Sequence, residues 1–176
     1  EHVERTREMA ARLGKKMNLS DSDIGKLELL AVLHDIGKVA IPHHVLVKKG
    51  KLNDEEFKIM QQHTIKGYRI AKSSPELGDI ADCILSHHEK WDGTGYPNRL
   101  KGEEIPLLAR IISAVDSHDV MVHNRPYHQA MPEEDAIKEL RRCAGTQFDP
   151  NIVEIFTKML EEEELPKIRA EREKER

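Results

Sequence analysis

Apolar residues recur at helical spacing along almost the whole chain, and histidine and aspartate interrupt them on the inward faces. That pattern constrains the fold most. An amphipathic strand needs strict alternation, and no segment shows it, so the class expected is all-α, a helical bundle. Val3, Met9, Ala10, Leu13 and Met17 mark a first helix over residues 1–17. Ser20 with Asp23 is a capping-box variant opening a second, Ile24 to about Asp35, with Gly37 to end it and Pro42 beyond. Residues 43–52, with Lys48-Lys49-Gly50-Lys51, read as a loop. Asn53 with Glu56 caps a third helix to about Lys72, which Ser73-Ser74-Pro75 breaks. A fourth runs from about Pro75 to His88. A Gly-rich loop follows, and Pro106 starts a long apolar helix to about Val122. Residues 133–143 and 150–163 make two more, placed by Pro132 and Pro150.

The inward stripes carry an unusual load. His34 continues the face of Leu27, Leu30 and Ala31, with Asp35 beside it at the helix end. His63 shares a stripe with Phe57, Met60, Gly67 and Ile70. His87-His88 close the helix of Ile80, Ile84 and Leu85. Neighbouring helix residues are about 100° apart, so two such imidazoles reach one site only near a helix end. Asp116 follows Ile112 and Val115 in the most apolar helix, and His2 lies on the first, seven residues before Met9. The chain has 10 histidines, against 3 Tyr, 3 Phe and 1 Trp. Imidazole is the commonest metal ligand and is costly to leave unpaired in a core. His2, His34, Asp35, His63, His87, His88 and Asp116 are five imidazoles and two carboxylates from five helices. Such ligands suit iron, manganese, zinc or nickel rather than calcium. They are too many for one tetrahedral zinc and fit two ions sharing Asp35, the arrangement that activates a bridging water and clamps phosphoryl oxygens. Separate core histidines would not recur inward on helix after helix.

Composition narrows the partners. With 176 residues the chain builds one core, read as a domain over 1–160 and a charged helical extension or tail over 161–176. Lys+Arg 28 against Asp+Glu 32 gives a net charge of -4, which excludes a broad basic surface for polymeric nucleic acid but not a local basic pocket. No run approaches the ~18 apolar residues of a membrane span and no signal peptide opens the chain, so a cytoplasmic protein without membrane contact is expected. Cys83 and Cys143 read as buried thiols.

His34-Asp35-Ile36-Gly37-Lys38 followed by Ile41-Pro42 resembles the HD motif of metal-dependent phosphohydrolases. His87-His88-Glu89-Lys90-Trp91-Asp92-Gly93-Thr94-Gly95-Tyr96-Pro97 resembles the signature of the HD-GYP family, the bacterial cyclic di-GMP phosphodiesterases. Arg125-Pro126-Tyr127 and Phe148-Asp149-Pro150 match in order and spacing, and the similarity covers residues 2 to about 160. The resemblance implies a helical HD-domain bundle with a Gly-rich GYP loop. It implies that His34, Asp35 and Asp116, with His2, hold one divalent ion, and that Asp35, His63, His87 and His88 hold the other. Iron or manganese is expected, with zinc, nickel or magnesium as alternatives. Lys38 would reach the scissile phosphate and Arg125 would bind a phosphate oxygen. Gly95, Tyr96 and Pro97 would shape the substrate site and dock a diguanylate-cyclase-type protein, and a sensor or receiver domain would precede this one. Some members hold a third ion with a Glu four residues before the first His, a position that falls ahead of residue 1, so two ions, or a third bound incompletely, are expected for these residues.

The activity implied is hydrolysis of cyclic di-GMP to pGpG, and onward to GMP in an open site, by a hydroxide bridging two ions. Three positions depart from the family: His118 for Tyr, Val120 for Ala and His128 for a basic residue. They bear on the nucleotide pocket, not on the metal ligands. His118 and His128 also keep in view a cyclic-dinucleotide-binding or docking module with little turnover, and a phosphohydrolase acting on another nucleotide is a separate alternative on the same site. Trp91 is read mainly as a loop anchor, Arg69 as a further cleft cation, and His43, His44 and His123 as loop or surface residues.

Overall fold

A computed structural model describes residues 1–124 and 129–174. Among them the fold is helical throughout, with one isolated bridge between Ala144 and Phe148. The α-helices are α1 (His2–Lys16), α2 (Asp21–Leu33), α3 (His43–Leu46), α4 (Asp54–Lys72), α5 (Ala81–Ser86), α6 (Leu107–Val122), α7 (Glu133–Arg142), α8 (Pro150–Glu163) and α9 (Leu165–Lys174). Short 3-10 segments lie at Ile36–Ala40, Pro75–Ile80 and Gly102–Glu104.

Local chemistry sets the helix starts. Ser20 accepts from the Asp23 amide at the head of α2, and Asn53 with Glu56 forms a complete capping box at the head of α4. Each such cap contributes about 1 kcal/mol. Pro106 and Pro132 precede α6 and α7, and Asp149 caps α8 with Pro150 in its first turn. The apolar stripes then meet in one core. Leu13 of α1, Leu27 and Leu30 of α2, Ile84 of α5, Ile111 and Ile112 of α6 and Phe156 of α8 are wholly shielded. Each such side chain contributes roughly 1.5–3 kcal/mol on leaving water. α1 packs along α2 and α6, and α4 packs on α5 and on the Ile36–Ala40 turn.

Two stretches differ from the sequence expectation. Part of the 43–52 loop is helical: α3 is a single turn started after Pro42, with Val45 buried. The helix expected from Pro75 to His88 is a 3-10 segment to Ile80 followed by a six-residue α5. Gly78 weakens its first half as an α-helix. α5 ends at Ser86, so His87 caps it and His88 lies beyond it. At the other end of the chain Leu165 enters the core, and Arg12 of α1 reaches Glu164 at 2.6 Å.

One contact decides where the site forms. The Ile36–Ala40 turn lies directly on the backbone of α4. A Cβ on Gly37 would stand 1.8 Å from the His63 carbonyl oxygen and 2.5 Å from the Gly67 nitrogen. Only glycine allows that approach, and it brings Asp35 within reach of His63.

Candidate metal centre

Asp35, His63, His87 and His88 offer ligand atoms that all lie within 4.8 Å of one another. The Nε2 atoms of His63 and His87 stand 3.4 and 4.0 Å from Asp35 Oδ1. His34 Nε2 is 3.6 Å from Asp35 Oδ2 and 3.9 Å from Asp116 Oδ1. His2 Nε2 is 3.3 Å from the same Asp116 oxygen. The seven residues singled out in the sequence therefore form one continuous cluster, with Asp35 at its middle.

The helices orient the rings. The outer Nδ1–H of His34, His63 and His87 donates to the carbonyl three residues earlier, of Ala31, Met60 and Ile84, at 2.9, 2.7 and 2.7 Å. That fixes the tautomer and turns each Nε2 lone pair inward. His34 Nε2 and Asp35 Oδ1 are buried with no hydrogen-bond partner. Buried polar atoms are rarely left so, and here lone pairs face one another. A cation is what such an arrangement is complementary to, and the donor set fits divalent metal ions.

The electrostatics agree. Burial pushes His88 down to about 4 and lowers His63 and His87 as well. All three are therefore neutral near pH 7, the form in which an imidazole can ligate a metal. Burial alone would raise Asp35, but Lys38 and His34 outweigh it and hold the carboxyl below its usual range. Lys38 Nζ lies 2.6 Å from Asp35 Oδ2 and is partly exposed, at the mouth of the cluster.

The Gly-rich loop closes one side. Gly95 lies on the backbone of residues 88–90, where a Cβ would come 2.4 Å from Lys90 N and 2.6 Å from the His88 carbonyl. The Tyr96 amide donates to that carbonyl at 3.2 Å, and the Tyr96 ring stacks on His88. Pro97 and Tyr96 also line an outer cleft of about 740 Å³ with Phe57, Gln61, Lys90 and Arg99. A cavity of about 90 Å³ beside the cluster is lined by His87, His88, Tyr96 and Asp116, with Ser113 and Ser117.

Other sequence readings come out differently. Trp91 anchors the loop: its amide donates to Gln147 O, and Arg110, paired with Asp149 at 2.6 Å, lies over its ring. His118 does not face the cluster. It is buried against Phe156 and meets Glu133 at 2.7 Å, so this departure bears on the core rather than on a nucleotide pocket. Arg69 is exposed on α4 and lines neither cavity beside the loop. His43 and His44 are exposed, and His123 is half-buried beside Asp119. Cys83 is buried, its thiol pushed up to about 11 by desolvation, and Cys143 is unpaired and partly buried. Arg125 and His128 lie outside the described residues.

Two residues escaped the sequence reading. Glu89 is buried, and its carboxylate accepts the amides of Asn98 and Leu100 at 2.6 and 3.0 Å, tying the loop down. Asp119, also buried, lies 2.5 Å from His2 Nδ1. A charged residue at an inward position was the signal available for Asp119. Glu89, inside a loop-bound string, gave none.

The sequence pattern of the HD domain matches residues 1–152. The chain belongs to the HD domain family. This HD domain carries the HD-GYP string at His87–Pro97. It is 42% identical over 163 residues to a Thermotoga maritima protein named cyclic di-GMP phosphodiesterase, covering 92% of the chain and 44% of that relative. It is 39% identical over 157 residues to a Vibrio cholerae protein named 3'3'-cGAMP-specific phosphodiesterase 2, covering 88% of the chain and 30% of that relative. The HD domain thus spans less than half the length of either. A solved HDG"Y"P protein from Bdellovibrio bacteriovorus shares its fold, with a TM-score of 0.71 at 20% identity over 91% of this chain and 51% of that one. No described helix is long and apolar enough to cross a membrane.

Proposed function

We propose that the HD domain is a metal-dependent phosphodiesterase that hydrolyses cyclic di-GMP to linear pGpG. The observation that carries this reading is the buried, unpartnered pair His34 Nε2 and Asp35 Oδ1 at the centre of five imidazoles and two carboxylates. His2, His34, Asp35 and Asp116 would hold one divalent ion, and Asp35, His63, His87 and His88 the other; the donors suit iron, manganese, zinc or nickel, and the family resemblance favours iron or manganese. When bound, the ion pair supplies an activated water and Lewis acidity toward phosphoryl oxygen.

The chain's own groups supply the rest. Lys38, at the cluster's mouth, adds positive charge where the transition state gains negative charge, and can hold a proton near the leaving 3' oxygen. Arg125 is assigned to a phosphate oxygen on the family resemblance. The Tyr96 ring covers His88 and keeps water from that face. Among the described residues the cluster itself is built of imidazoles and carboxylates, with neither a thiol nor a hydroxyl in it, which favours direct attack of water on phosphorus. The water's hydroxyl joins phosphorus, its proton goes to the departing 3' oxygen, and one ring bond of the dinucleotide opens. Gly95, Tyr96 and Pro97 present the surface on which a diguanylate-cyclase-type protein would dock. A cytoplasmic signalling protein with an upstream sensor or receiver domain fits this chemistry.

A second substrate has specific support, because two relatives are named for 3'3'-cGAMP. The test is metal analysis with a turnover panel of cyclic di-GMP, 3'3'-cGAMP and ppGpp, repeated on Asp35→Ala. We expect about two ions per chain, cleavage of cyclic di-GMP, and joint loss of metal and at least about 10³-fold of rate in the variant. Preference for 3'3'-cGAMP would reassign the substrate. Cleavage of ppGpp alone, tight binding without turnover, or an active Asp35→Ala would overturn the reading.

A further inference from the structure

His2 is held differently from His34, His63 and His87. In His34, His63 and His87 the outer nitrogen rests on a backbone carbonyl of the same segment. The outer nitrogen of His2 instead meets a side chain from another helix, Asp119 Oδ2 of α6, at 2.5 Å, with Thr6 Oγ1 at 3.4 Å. Asp119 lies one helical turn beyond Asp116. One face of α6 therefore grips both nitrogens of one ring, Asp116 on Nε2 at 3.3 Å and Asp119 on Nδ1.

Asp119 is itself fixed. Arg5 Nε donates to its Oδ1 at 2.7 Å and Arg5 Nη2 to its Oδ2 at 3.2 Å, while His123 Nδ1 lies 3.1 Å from Oδ1. The carboxylate is buried. A carboxylate that accepts the outer N–H of a ligating histidine sets ring orientation and makes the inner nitrogen a stronger donor, typically worth 10- to 100-fold in metal affinity.

We infer that Asp119 is a positioning residue that fixes His2 as a ligand and thereby governs one ion of the pair and not the other. The inference rests on the metal reading proposed above. The selectivity follows from the geometry. His63 and His87 take their orientation from α4 and α5, whereas the partners of Asp119 among the described residues are His2 and Arg5 of α1 and His123 just after α6, so Asp119 orients neither His63 nor His87. The His2 ion depends on a side chain, and through Arg5 on the seating of α1 against α6.

The test uses the whole chain, stripped of metal and titrated with Mn(II), with calorimetry for affinity and electron paramagnetic resonance for coupling between ions. Asp119→Ala should weaken one of the two manganese ions about 10- to 100-fold and leave the other unchanged. At one equivalent per chain it should show an uncoupled manganese signal. Asp119→Asn, whose amide oxygen still accepts but carries no charge, should lie between the two, a graded rescue that a purely structural role would not produce. Melting of the metal-free variants separates lost folding from lost affinity. Two ions bound as tightly as in the parent chain would overturn the inference, as would equal weakening of both ions. A parent chain that takes up no pair of ions overturns the metal reading instead, whatever Asp119 does.

Discussion

The Tyr96 ring lies 5.0 Å from the His88 imidazole, with the two planes 22° apart. A loop residue and a cluster residue thus share one stacked contact. Phe57 adds a second ring, edge-on to Tyr96 at 6.2 Å. Tyr96→Phe keeps both contacts and should change stability by less than about 0.5 kcal/mol. Tyr96→Ala removes them and should cost about 1–3 kcal/mol. Urea unfolding of the metal-free variants checks this, and equal midpoints for the two would remove the stack from the account.

Glu89 offers a sharper probe of the loop. Burial pushes its carboxyl up even though it accepts backbone amides. Glu89→Gln keeps the shape but halves the acceptor capacity, leaving a buried N–H poorly paired at a cost of about 1–3 kcal/mol. Hydrogen exchange at the Asn98 and Leu100 amides should quicken in this variant. Unchanged protection there would show that the loop is held by something else.

Two glycines should respond in opposite directions. A Cβ at Gly37 meets backbone atoms of α4 that cannot move aside, so Gly37→Ala should cost more than about 3 kcal/mol or displace the turn that carries Asp35. Gly25 sits within α2 with nothing near its absent Cβ, so Gly25→Ala should stabilise by about 0.5–1 kcal/mol. Chemical denaturation of both variants checks the pair, and a neutral Gly37→Ala would remove the close approach as the cause of the site's assembly.

Acid should destabilise the metal-free chain before its carboxylates titrate. Burial holds His88 at about 4, below the ordinary 6.5 of the unfolded chain. The unfolded state then binds the extra proton between those values, so stability present above pH 6.5 is lost as pH falls toward 4, by roughly 3 kcal/mol at most from this group. His63 and His87 act in the same direction. His2, raised by its bonds to Asp116 and Asp119, acts in the opposite one, its contribution full at low pH and fading above 6.5. Asp35 and Asp116, both held low, add a further loss only below about 3.8. Urea midpoints measured across this range should fall with acid. A flat profile from pH 7 to 4.5 would contradict the buried, neutral state of the three imidazoles.

Much of the helical order was legible because its signals are local. Ser20, Asn53, Pro106 and Pro150 mark helix starts through bonds or constraints spanning a few residues. The inward histidines were legible because helical period assigns a face to each residue. What period cannot supply is the relation between helices. His118 occupies an inward position like Asp116, yet it meets Glu133 and Phe156, because two residues along α6 turn a side chain by about 200°. Glu89 and Asp119 act on atoms 9 and 117 residues away, and no pattern along the chain announces such pairings. The split of the Pro75–His88 stretch was also hidden, since a 3-10 segment and an α-helix share nearly the same apolar spacing.

His88 and Glu89 are adjacent, yet one faces the cluster and the other is clamped to the loop amides. A single peptide unit therefore joins the clamp that ties down the Gly-rich loop to an imidazole of the cluster. The loop's backbone bonds and the cluster's geometry are consequently set within two successive residues.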